Sequence, residues 1–325
     1  MLILSRADVA RLMDFADYVD AVEAGFRAAA TGTALAPPAA AFHVPGGSYH
    51  AKAAALLAGE PPVMPIKLNG NYPANPAANG LPTVQGVIYL ADATNGRPLA
   101  LMDSIEVTIN RTGAATTLAA RHLARRDSRI ATICGAGVQG RIQARAIATA
   151  AKLDTIHVWD IRPDAAEELA RELSQELKID VRSSADLAVT RQSDIIVTAT
   201  SSKVAFLTPE LVRPGTFIAA VGADNSDKSE IAPALYARAQ SVVDSLEQCV
   251  EIGDLHHALK AQAVMPAHIH ATLAELVAGQ KPGRRDDQAI TLFDSIGLGL
   301  QDVAAAAAIY HRALERGIGH RLPLD

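Results

Sequence analysis

The sequence predicts an α/β protein in which a doubly wound parallel sheet is inserted in an N-terminal α+β domain. Segments typical of buried strands lie at 129–134, 155–159, 194–199, 216–221 and 240–244. Helical patterns lie between most of them, notably at 138–151 and 163–178. This alternation indicates parallel strands joined by crossover helices. From about residue 37 to residue 104 Pro and Gly become frequent, a composition typical of short strands and turns.

The N-terminal domain begins with a helical pattern over residues 5–30. Ser5 is a suitable N-cap with Asp8 three residues later, apolar residues recur at helical spacing, and Gly32 is placed to end the helix. Strand-like segments follow, and the sequence DATNGRP between the last two predicts a hairpin turn. Residues 105–124 return to helical spacing.

The chain ends in a pattern that predicts a strand, a Gly-containing turn and a long helix, DQAITLFDSIGLGLQDVAAAAAIYHRALERG. Because no strand follows, we expect this helix to leave the parallel sheet and to pack on the first domain. The predicted domains are therefore residues 1–115 plus 296–325, and residues 116–295.

Composition excludes several classes of function. The chain has 325 residues, enough for two domains, with 49% hydrophobic and 20% charged residues. A formal net charge of -5 leaves no basic surface for nucleic acid. We expect a cytoplasmic protein without membrane contact, since the first residues lack the features of a signal peptide and no apolar run could span a bilayer. Cys134, Cys249 and the histidines lack metal-ligand spacing, so no metal is expected.

A glycine-rich loop, GAGVQG, follows the first strand of the alternating region and opens a helix. Gly135 would make the turn, Gly137 would let the backbone approach a pyrophosphate, and Gly140 would permit close packing of helix on strand. Asp160 ends the next strand, where it would bind ribose hydroxyls and favour NAD over NADP. Arg162 could accommodate a 2′-phosphate, so NADP stays possible. These features predict a Rossmann dinucleotide-binding domain.

Other candidates are weaker when each is taken alone. Thr200 and Val221 follow apolar strands, at the sheet edge where ligands bind, but such positions are as often ordinary loop residues. Lys67, Arg111 and Asp224 stand in apolar or glycine-rich segments where they could bind or activate a carboxylate substrate. In isolation, a surface lysine, a surface arginine and a helix cap are the commoner interpretations.

Taken together, the motifs carry a family resemblance over nearly the whole chain. The ordered set comprises IKLNGNYPANPAANGLPTVQGVIYLADATNGRPLALMDS, NRTGAATTLAARHLA, ICGAGVQGR, DIIVTATSS, RPGTFIAAVGAD and TLFDSIGLGLQD. This set resembles the ornithine cyclodeaminase/mu-crystallin family.

The resemblance implies a homodimer whose N-terminal domain, joined by the C-terminal helix, binds the substrate and forms the dimer interface. It implies that Lys67 and Arg111 bind a substrate carboxylate, that Asp224 is the catalytic carboxylate, and that Lys67 belongs to the catalytic site. It places the following residues at cofactor-contacting positions: Thr83, Thr112, Val138, Gln139, Asp160, Thr200, Val221, Lys228 and Ser295. Burial of Asp224 beside the cofactor is expected to raise its pKa.

The chain departs from the family pattern at the segment before the first lysine motif. ALAPPAAAFHVPGG lacks the arginine that serves as a third carboxylate ligand in the family, and GSYHAKAAAL lacks the glutamate that cyclodeaminases place near a distal ammonium. Lys52 is a candidate replacement for the arginine. A cation there would repel a diamino acid, since two like charges about 4 Å apart at a dielectric of 20 interact by roughly 4 kcal/mol.

Three functions are compatible with these residues. The first is an NAD(P)H-dependent oxidoreductase that reduces a small imino acid, or a 2-oxo acid plus an amine, to an amino acid, or catalyses the reverse reaction. The second is a cyclodeaminase-type lyase that uses NAD catalytically. The third is a dinucleotide-dependent binding protein without turnover. Asp224 matches the catalytic carboxylate of the family, which favours turnover over binding alone. The glutamate of the cyclodeaminases is missing, which counts against the lyase. Both observations favour the first function.

Overall fold

The computed structural model describes residues 1–324. Its strands are β1 (Leu2–Leu4), β2 (Ala34–Leu35), β3 (Ala40–Val44), β4 (Gly47–Ala53), β5 (Ala55–Leu56), β6 (Val63–Asn71), β7 (Val84–Asp92), β8 (Pro98–Asp103), β9 (Ile130–Cys134), β10 (Thr155–Trp159), β11 (Asp180–Ser184), β12 (Ile195–Thr198), β13 (Phe217–Ala220), β14 (Ala239–Val243), β15 (Ala271–Thr272), β16 (Ile290–Asp294) and β17 (His320–Arg321).

The α-helices are α1 (Arg6–Leu12), α2 (Phe15–Ala30), α3 (Asn75–Asn79), α4 (Ile105–Leu123), α5 (Val138–Ala150), α6 (Pro163–Leu177), α7 (Pro233–Tyr236), α8 (Leu246–Cys249), α9 (Asp254–Lys260), α10 (Leu273–Val277) and α11 (Gly299–Arg316). Short 3₁₀ helices cover Leu187–Gln192, Pro209–Leu211 and Pro266–His268. The chain divides into two compact units, one formed by Met1–Ala114 with Leu298–Asp325 and the other by Ala115–Gly297. The roles predicted for the two parts stay predictions.

The unit Ala115–Gly297 contains an all-parallel sheet, which confirms the predicted fold class. Its strand order is β11-β10-β9-β12-β13-β16-β14-β15, and every pair of neighbouring strands runs parallel. The order reverses between β9 and β12, which is the point where open α/β sheets bind ligands at the carboxyl ends of their strands. The glycine loop follows β9 and Thr200 follows β12, so both lie at this reversal.

The other unit is built on a largely antiparallel sheet of order β17-β1-β8-β7-β6-β4-β3, in which β1 and β8 form a parallel pair. Helix α11 packs closely on α2, since a methyl group on Gly25 would lie 2.9 Å from the Ala304 side chain. The same helix contacts β6. Apolar side chains on one sheet face, among them Ile88, Leu90 and Met102, are buried in the core.

The predicted single helix over 5–30 is wrong, because the chain forms two helices there. Ser5 does cap α1, and its side chain accepts from the Asp8 backbone N–H as predicted. Met13 is extended, with φ -138° and ψ 136°. Asp14 then caps α2 by accepting a hydrogen bond from the Asp17 backbone N–H. A second capping box within the apolar periodicity therefore interrupts the helix.

Residues 1–324 contain neither a candidate membrane-spanning helix nor a candidate metal-binding cluster. None of their helices combines the length and the apolar character that a bilayer crossing requires. No group of three or more His, Cys, Asp and Glu side chains in that range has an arrangement suited to a metal ion.

Candidate active site

Lys67 is a buried lysine on β6, a strand whose two faces have reversed polarity. The residue is 3% exposed, whereas Ile66 and Leu68 are 39% and 40% exposed. Successive side chains of a strand point to opposite faces. The strand therefore places its cation inside and its apolar residues outside, and Lys67 is not the solvated surface lysine that its residue type alone would suggest.

One carboxylate, that of Asp302, bridges Lys67 to Arg111. Asp302 lies in the first turn of α11 and is 1% exposed, and its Oδ2 is 2.7 Å from the Lys67 Nζ. Its Oδ1 accepts a hydrogen bond of 3.0 Å from the Nε of Arg111, a buried residue of α4. Arg111 also donates through Nη1 to Gln301 Oε1 at 2.6 Å. Three elements distant in sequence thus converge in one buried site.

Lys52 lies beside this group, directly opposite Lys67 in the pairing of β4 with β6. Lys52, Lys67, Arg111 and Asp302 together form what we call the basic cluster. It contains three cations and one carboxylate. This excess of positive charge in a buried setting suits an anionic ligand, because a carboxylate would offset it.

The pKa values of the basic cluster follow from burial and mutual charge. Burial lowers the pKa of Lys67 to about 7; Asp302 opposes this change, whereas Arg111 and Lys52 add to it. Burial acts to raise the pKa of Asp302, but the charges of Lys67 and Arg111 outweigh it and keep that pKa below its ordinary value. Asp302 is therefore ionised near neutral pH, whereas Lys67 is close to its titration midpoint.

Two threonines predicted to contact a cofactor lie in the same unit. Thr83 precedes β7, and its carbonyl accepts a hydrogen bond of 2.7 Å from the Tyr72 backbone. Thr112 follows Arg111 on α4, and its hydroxyl donates to the Thr108 carbonyl at 2.8 Å. Their contact with a cofactor stays a prediction.

The glycine loop of the second unit has the geometry of a phosphate cradle. Gly135 has φ +112°, and a methyl group there would lie 2.6 Å from the Ala199 carbonyl oxygen. A methyl group on Gly140 would lie 1.8 Å from the Gly135 carbonyl oxygen, so only glycine fits. At Gly137 the same test meets nothing within 4 Å, which leaves open space over the backbone.

Helix α5 begins at this open space. Gly137 is its N-cap and offers no side chain to bond the first N–H groups, which belong to residues such as Val138 and Gln139. An uncapped helix N-terminus with backbone exposed by glycine is suited to bind a phosphate group. The residues present therefore fit the pyrophosphate of a dinucleotide.

Asp160 connects the end of β10 to the glycine loop by hydrogen bonding. Its Oδ2 accepts a hydrogen bond of 2.8 Å from the Ala136 backbone N–H, and its Oδ1 accepts one of 2.9 Å from the Arg162 N–H. The Arg162 guanidinium lies 3.6 Å from the same carboxylate and is largely exposed. A carboxylate held beside the loop suits ribose hydroxyls, and the neighbouring guanidinium leaves the choice between NAD and NADP open.

A buried carboxylate not predicted from the sequence, Glu230, holds the loops after β12 and β13. It accepts hydrogen bonds from the Thr200 N–H at 2.7 Å, the Thr200 hydroxyl at 2.6 Å, the Thr198 hydroxyl at 2.7 Å and the Gly222 N–H at 3.0 Å. Burial, followed by the charge of Asp254, raises the pKa of Glu230 to about 7, although the bonds from Thr200 and Thr198 oppose the shift. Thr200 is thereby fixed at the carboxyl end of β12.

Val221 and Ser295 occupy matching positions after β13 and β16. The Val221 N–H donates to the Thr198 carbonyl at 2.9 Å. The Ser295 N–H donates to the Ala220 carbonyl at 2.9 Å, and its hydroxyl donates to Asp244 at 3.1 Å. Both residues are buried. The sheet thus aligns them at one edge, and their contact with a cofactor stays a prediction.

Asp224 lies on the loop after β13 and pairs with Lys228. Its side chain is 49% exposed, and its Oδ1 is 2.8 Å from Lys228 Nζ. We expected Asp224 to be buried, but its side chain is half exposed because the loop directs the carboxylate towards solvent. No helix begins at Asp224, so it is not a helix cap; the next helix of the chain is α7. The His257 Nε2 bonds to the Lys228 carbonyl at 2.9 Å and helps to fix the loop.

Sequence reasoning missed Asp302, Gln301 and Glu230. Asp302 had a detectable signal, since it is a lone charge between the apolar segments GLGL and VAAAAAIY at and after the start of α11. Glu230 had none, because a glutamate in a loop is usually exposed. Its burial depends on the way two distant loops fold over it.

Comparison with known proteins places this geometry in context. The model of the ornithine cyclodeaminase/mu-crystallin family matches residues 1–317. The solved Δ1-pyrroline-2-carboxylate reductase of Thermococcus litoralis, in complex with NADH and L-proline, is similar with a TM-score of 0.93 and 35% identity, covering 99% of this chain and 100% of that one.

Two further solved structures are similar over nearly their whole length. An archaeal alanine dehydrogenase dimer with bound NAD has a TM-score of 0.94 and 34% identity, with 100% of this chain and 99% of that one covered. The iminosuccinate reductase of Paracoccus denitrificans, in complex with NAD+, has a TM-score of 0.92 and 30% identity, again with 100% and 99% covered. By its family match and by these relatives, the chain belongs to the ornithine cyclodeaminase/mu-crystallin family.

Proposed function

We propose that the chain is an NAD(P)H-dependent oxidoreductase that interconverts a small imino acid and the corresponding amino acid. The observation that carries this proposal is the basic cluster, in which Lys67 and Arg111 are buried around a single carboxylate. Two buried cations with one internal anion are suited to receive a second carboxylate from a ligand. Imino and amino acids supply that group.

Within the basic cluster, Lys67 and Arg111 would bind the substrate carboxylate. Arg111 uses Nε and Nη1 for Asp302 and Gln301, and neither contact involves Nη2. Lys52, which lies opposite Lys67 in the strand pairing, would take the place of the arginine that the family usually has in this region. Its positive charge would disfavour a substrate with a second ammonium group, which supports a reductase over a cyclodeaminase of diamino acids.

The second unit would bind the dinucleotide. Gly137 and the first turn of α5 would hold the pyrophosphate, and Asp160 would accept hydrogen bonds from ribose hydroxyls and favour NAD. When bound in its reduced form, the dinucleotide supplies a hydride to the imino carbon. Asp224 would donate a proton to the imino nitrogen during reduction and accept it in the reverse reaction.

The relatives support this assignment. Their names describe a pyrroline-carboxylate reductase, an alanine dehydrogenase and an iminosuccinate reductase, all with an NAD-type dinucleotide in the solved complexes. The three substrates differ in side chain but share a carboxylate next to a carbon–nitrogen bond. That common group is what the basic cluster is suited to hold.

We also propose that the protein is a homodimer formed through the outer face of the antiparallel sheet. Ile66, Leu68 and Val87 are adjacent on this face and are 39%, 40% and 41% exposed. A contiguous apolar patch on a soluble protein is typical of an interface. The archaeal alanine dehydrogenase described above is a dimer, which supports a dimeric state for this chain.

The test is a spectrophotometric panel that follows oxidation of NADH and of NADPH. The imino substrates would be cyclic imines, and pyruvate, oxaloacetate or glyoxylate combined with ammonia or methylamine. We expect at least one substrate to be reduced, with a preference for NADH. Formation of proline and ammonia from ornithine with catalytic NAD would instead identify a lyase. Absence of dinucleotide consumption across the whole panel would favour a binding protein.

A further inference from the structure

We infer that Asp302 is a positioning residue for the substrate carboxylate site: it fixes the Lys67 ammonium and the Arg111 guanidinium relative to each other and favours the charged form of Lys67. The inference rests on the function proposed above. Asp302 would act through the two cations and not by direct contact with the substrate.

The geometry supports this role because Asp302 uses one oxygen for each cation. Oδ2 is 2.7 Å from Lys67 Nζ and Oδ1 accepts from Arg111 Nε at 3.0 Å. The three side chains come from β6, α4 and α11, so no local chain geometry sets their spacing. Long side chains such as lysine and arginine lose rotamer freedom when held. A rigid carboxylate at the start of α11 holds both before a substrate arrives.

Gln301 completes the arrangement on the side of Arg111. Because Arg111 has only N–H donors, the atom that receives Nη1 must be the amide oxygen, which fixes the orientation of the Gln301 amide. The Gln301 Nε2 is buried and has no hydrogen-bond partner within residues 1–324. It is therefore a further N–H donor next to the guanidinium, available to a carboxylate ligand.

The charge on Lys67 depends on groups from three elements. Asp302 on α11 favours the charged ammonium, whereas Arg111 on α4 and Lys52 on β4 disfavour it. With all of them present, burial brings the pKa of Lys67 to about 7. If Asp302 becomes neutral, the two cations act unopposed, and the pKa of Lys67 falls further. Lys67 would then lose its proton at a lower pH, and the affinity for a carboxylate would fall with it.

The test compares Asp302→Asn with Asp17→Asn. Asp17 also pairs with α11, through Arg312 at 2.6 Å, but lies outside the basic cluster. For Asp302→Asn we expect the KM of the imino acid to rise by about 10- to 100-fold with a smaller change in kcat, and the alkaline limb of kcat/KM to move to lower pH. NADH affinity should stay within about twofold of wild type. Asp17→Asn should match wild type in all of these.

A second variant separates the effect of positioning the Arg111 guanidinium from the effect of the charge on Lys67. Gln301→Met removes the hydrogen bond to Arg111 but changes no charge, so it should raise KM without moving the pH profile. A wild-type KM and pH profile in Asp302→Asn would overturn the inference while leaving the proposed function intact. If Asp302→Asn does not fold, a wild-type KM in Gln301→Met would equally count against it.

Thermal stability as a function of pH tests the role of Asp302 without turnover. It remains informative if no substrate is reduced, an outcome that would contradict the proposed function but not the role of Asp302. The folded pKa of Lys67 lies below its ordinary value, so thermal stability should increase as pH rises from about 7 towards 10.5. In Asp302→Asn this increase should begin at lower pH than in wild type and in Asp17→Asn. Identical onset in the three proteins would refute the role of Asp302 in favouring the charged form of Lys67.

Discussion

The Asp224 carboxylate lies 2.8 Å from the Lys228 ammonium, four residues further along the same loop. The Asn225 side chain accepts hydrogen bonds from the backbone N–H groups of Asp227 and Lys228, which fixes the loop between the paired residues. The orientation of the Asp224 carboxylate is thus fixed, although the side chain is half exposed.

The first prediction concerns Asp224 as proton donor and acceptor. Asp224→Asn should lower kcat by about 10²- to 10⁴-fold, the usual contribution of a general acid or base, with NADH affinity nearly unchanged. Steady-state kinetics and NADH fluorescence titration would measure the two quantities. Asp227→Asn is the control, because Asp227 lies on the same loop, is exposed, and its carboxylate pairs with Lys203 at 3.3 Å. Wild-type turnover in Asp224→Asn would remove Asp224 from the mechanism.

The second prediction separates the two roles of glycine in the dinucleotide loop. Gly140→Ala should destabilise the fold by about 1–3 kcal/mol and weaken NADH binding, because its methyl group would meet the Gly135 carbonyl. Gly137→Ala has open space and should unfold like wild type, yet still bind NADH at least about tenfold more weakly because the methyl group covers the phosphate approach. Urea unfolding and NADH titration distinguish them; equal affinity of wild type and Gly137→Ala would argue against the phosphate site.

The third prediction concerns cofactor choice. Asp160→Asn removes the negative charge beside the ribose but keeps an acceptor oxygen for the Ala136 N–H. The ratio of kcat/KM for NADPH to that for NADH should rise by about tenfold or more, since repulsion of the 2′-phosphate is lost and Arg162 remains. Asp164→Asn, an exposed change in the first turn of α6, should leave the ratio unchanged. An unaltered ratio in Asp160→Asn would show that Asp160 does not select the cofactor.

The fourth prediction concerns pH and the Glu230 carboxyl group. Its folded pKa of about 7 exceeds its ordinary value of 4.5, so its stability contribution is complete below pH 4.5 and is lost as pH rises through 7. Glu230→Gln lacks this titration, and its amide donors would face the N–H and hydroxyl donors of Thr200, Thr198 and Gly222. The free energy of unfolding of Glu230→Gln should be lower than that of wild type at pH 4.5. This difference should decrease by up to about 3 kcal/mol towards pH 7.5.

Urea unfolding at several pH values checks this prediction. Glu247→Gln serves as the control, because Glu247 is exposed in the first turn of α8 and takes no part in the hydrogen bonds of Glu230 given above. A difference between Glu230→Gln and wild type that is constant with pH would mean that Glu230 does not titrate in this range.

The fifth prediction concerns assembly. Leu68→Glu should convert the proposed dimer to a monomer, because it would bury an unpaired carboxylate at the interface; we expect the dissociation constant to rise by about 10²-fold or more. Met265→Glu changes an exposed apolar residue of the other unit and should leave the dimer intact. Sedimentation equilibrium measures both, and a dimeric Leu68→Glu protein would place the interface elsewhere.

Much of the parallel-sheet unit is predictable from sequence because its strands are buried on both faces. The predicted strand 155–159 coincides with β10, and the predicted strand 194–199 extends one residue beyond β12 at each end. Such strands are near-continuous apolar runs bounded by turns. The glycine loop is predictable for a similar reason, since close backbone contacts at Gly135 and Gly140 leave no other residue type.

The antiparallel unit is less predictable because its strands depend on partners. The segment Ala40–Ala53 is rich in alanine, which has low strand propensity, yet it forms β3 and β4, because β4 pairs with β6 and β3 pairs with β4. The break between α1 and α2 lies within an unbroken apolar periodicity and depends on the Asp14 cap. Asp302 contacts Lys67 and Arg111 only once α11 is folded against β6, so its partners are not visible in the sequence.

Alternate residues of strand β6 point to the basic cluster and to the outer face of the sheet, and this alternation restricts which mutations the strand can accept. Substitutions at Lys67 alter the inner face, and those at Ile66 or Leu68 alter the outer one, so under the roles proposed above substrate affinity and assembly would change separately. Loss or gain of one residue within the strand would exchange the two faces, exposing the ammonium and pushing leucine into the cluster. Length changes in β6 are therefore tolerable only in pairs of residues, whereas point substitutions remain independent.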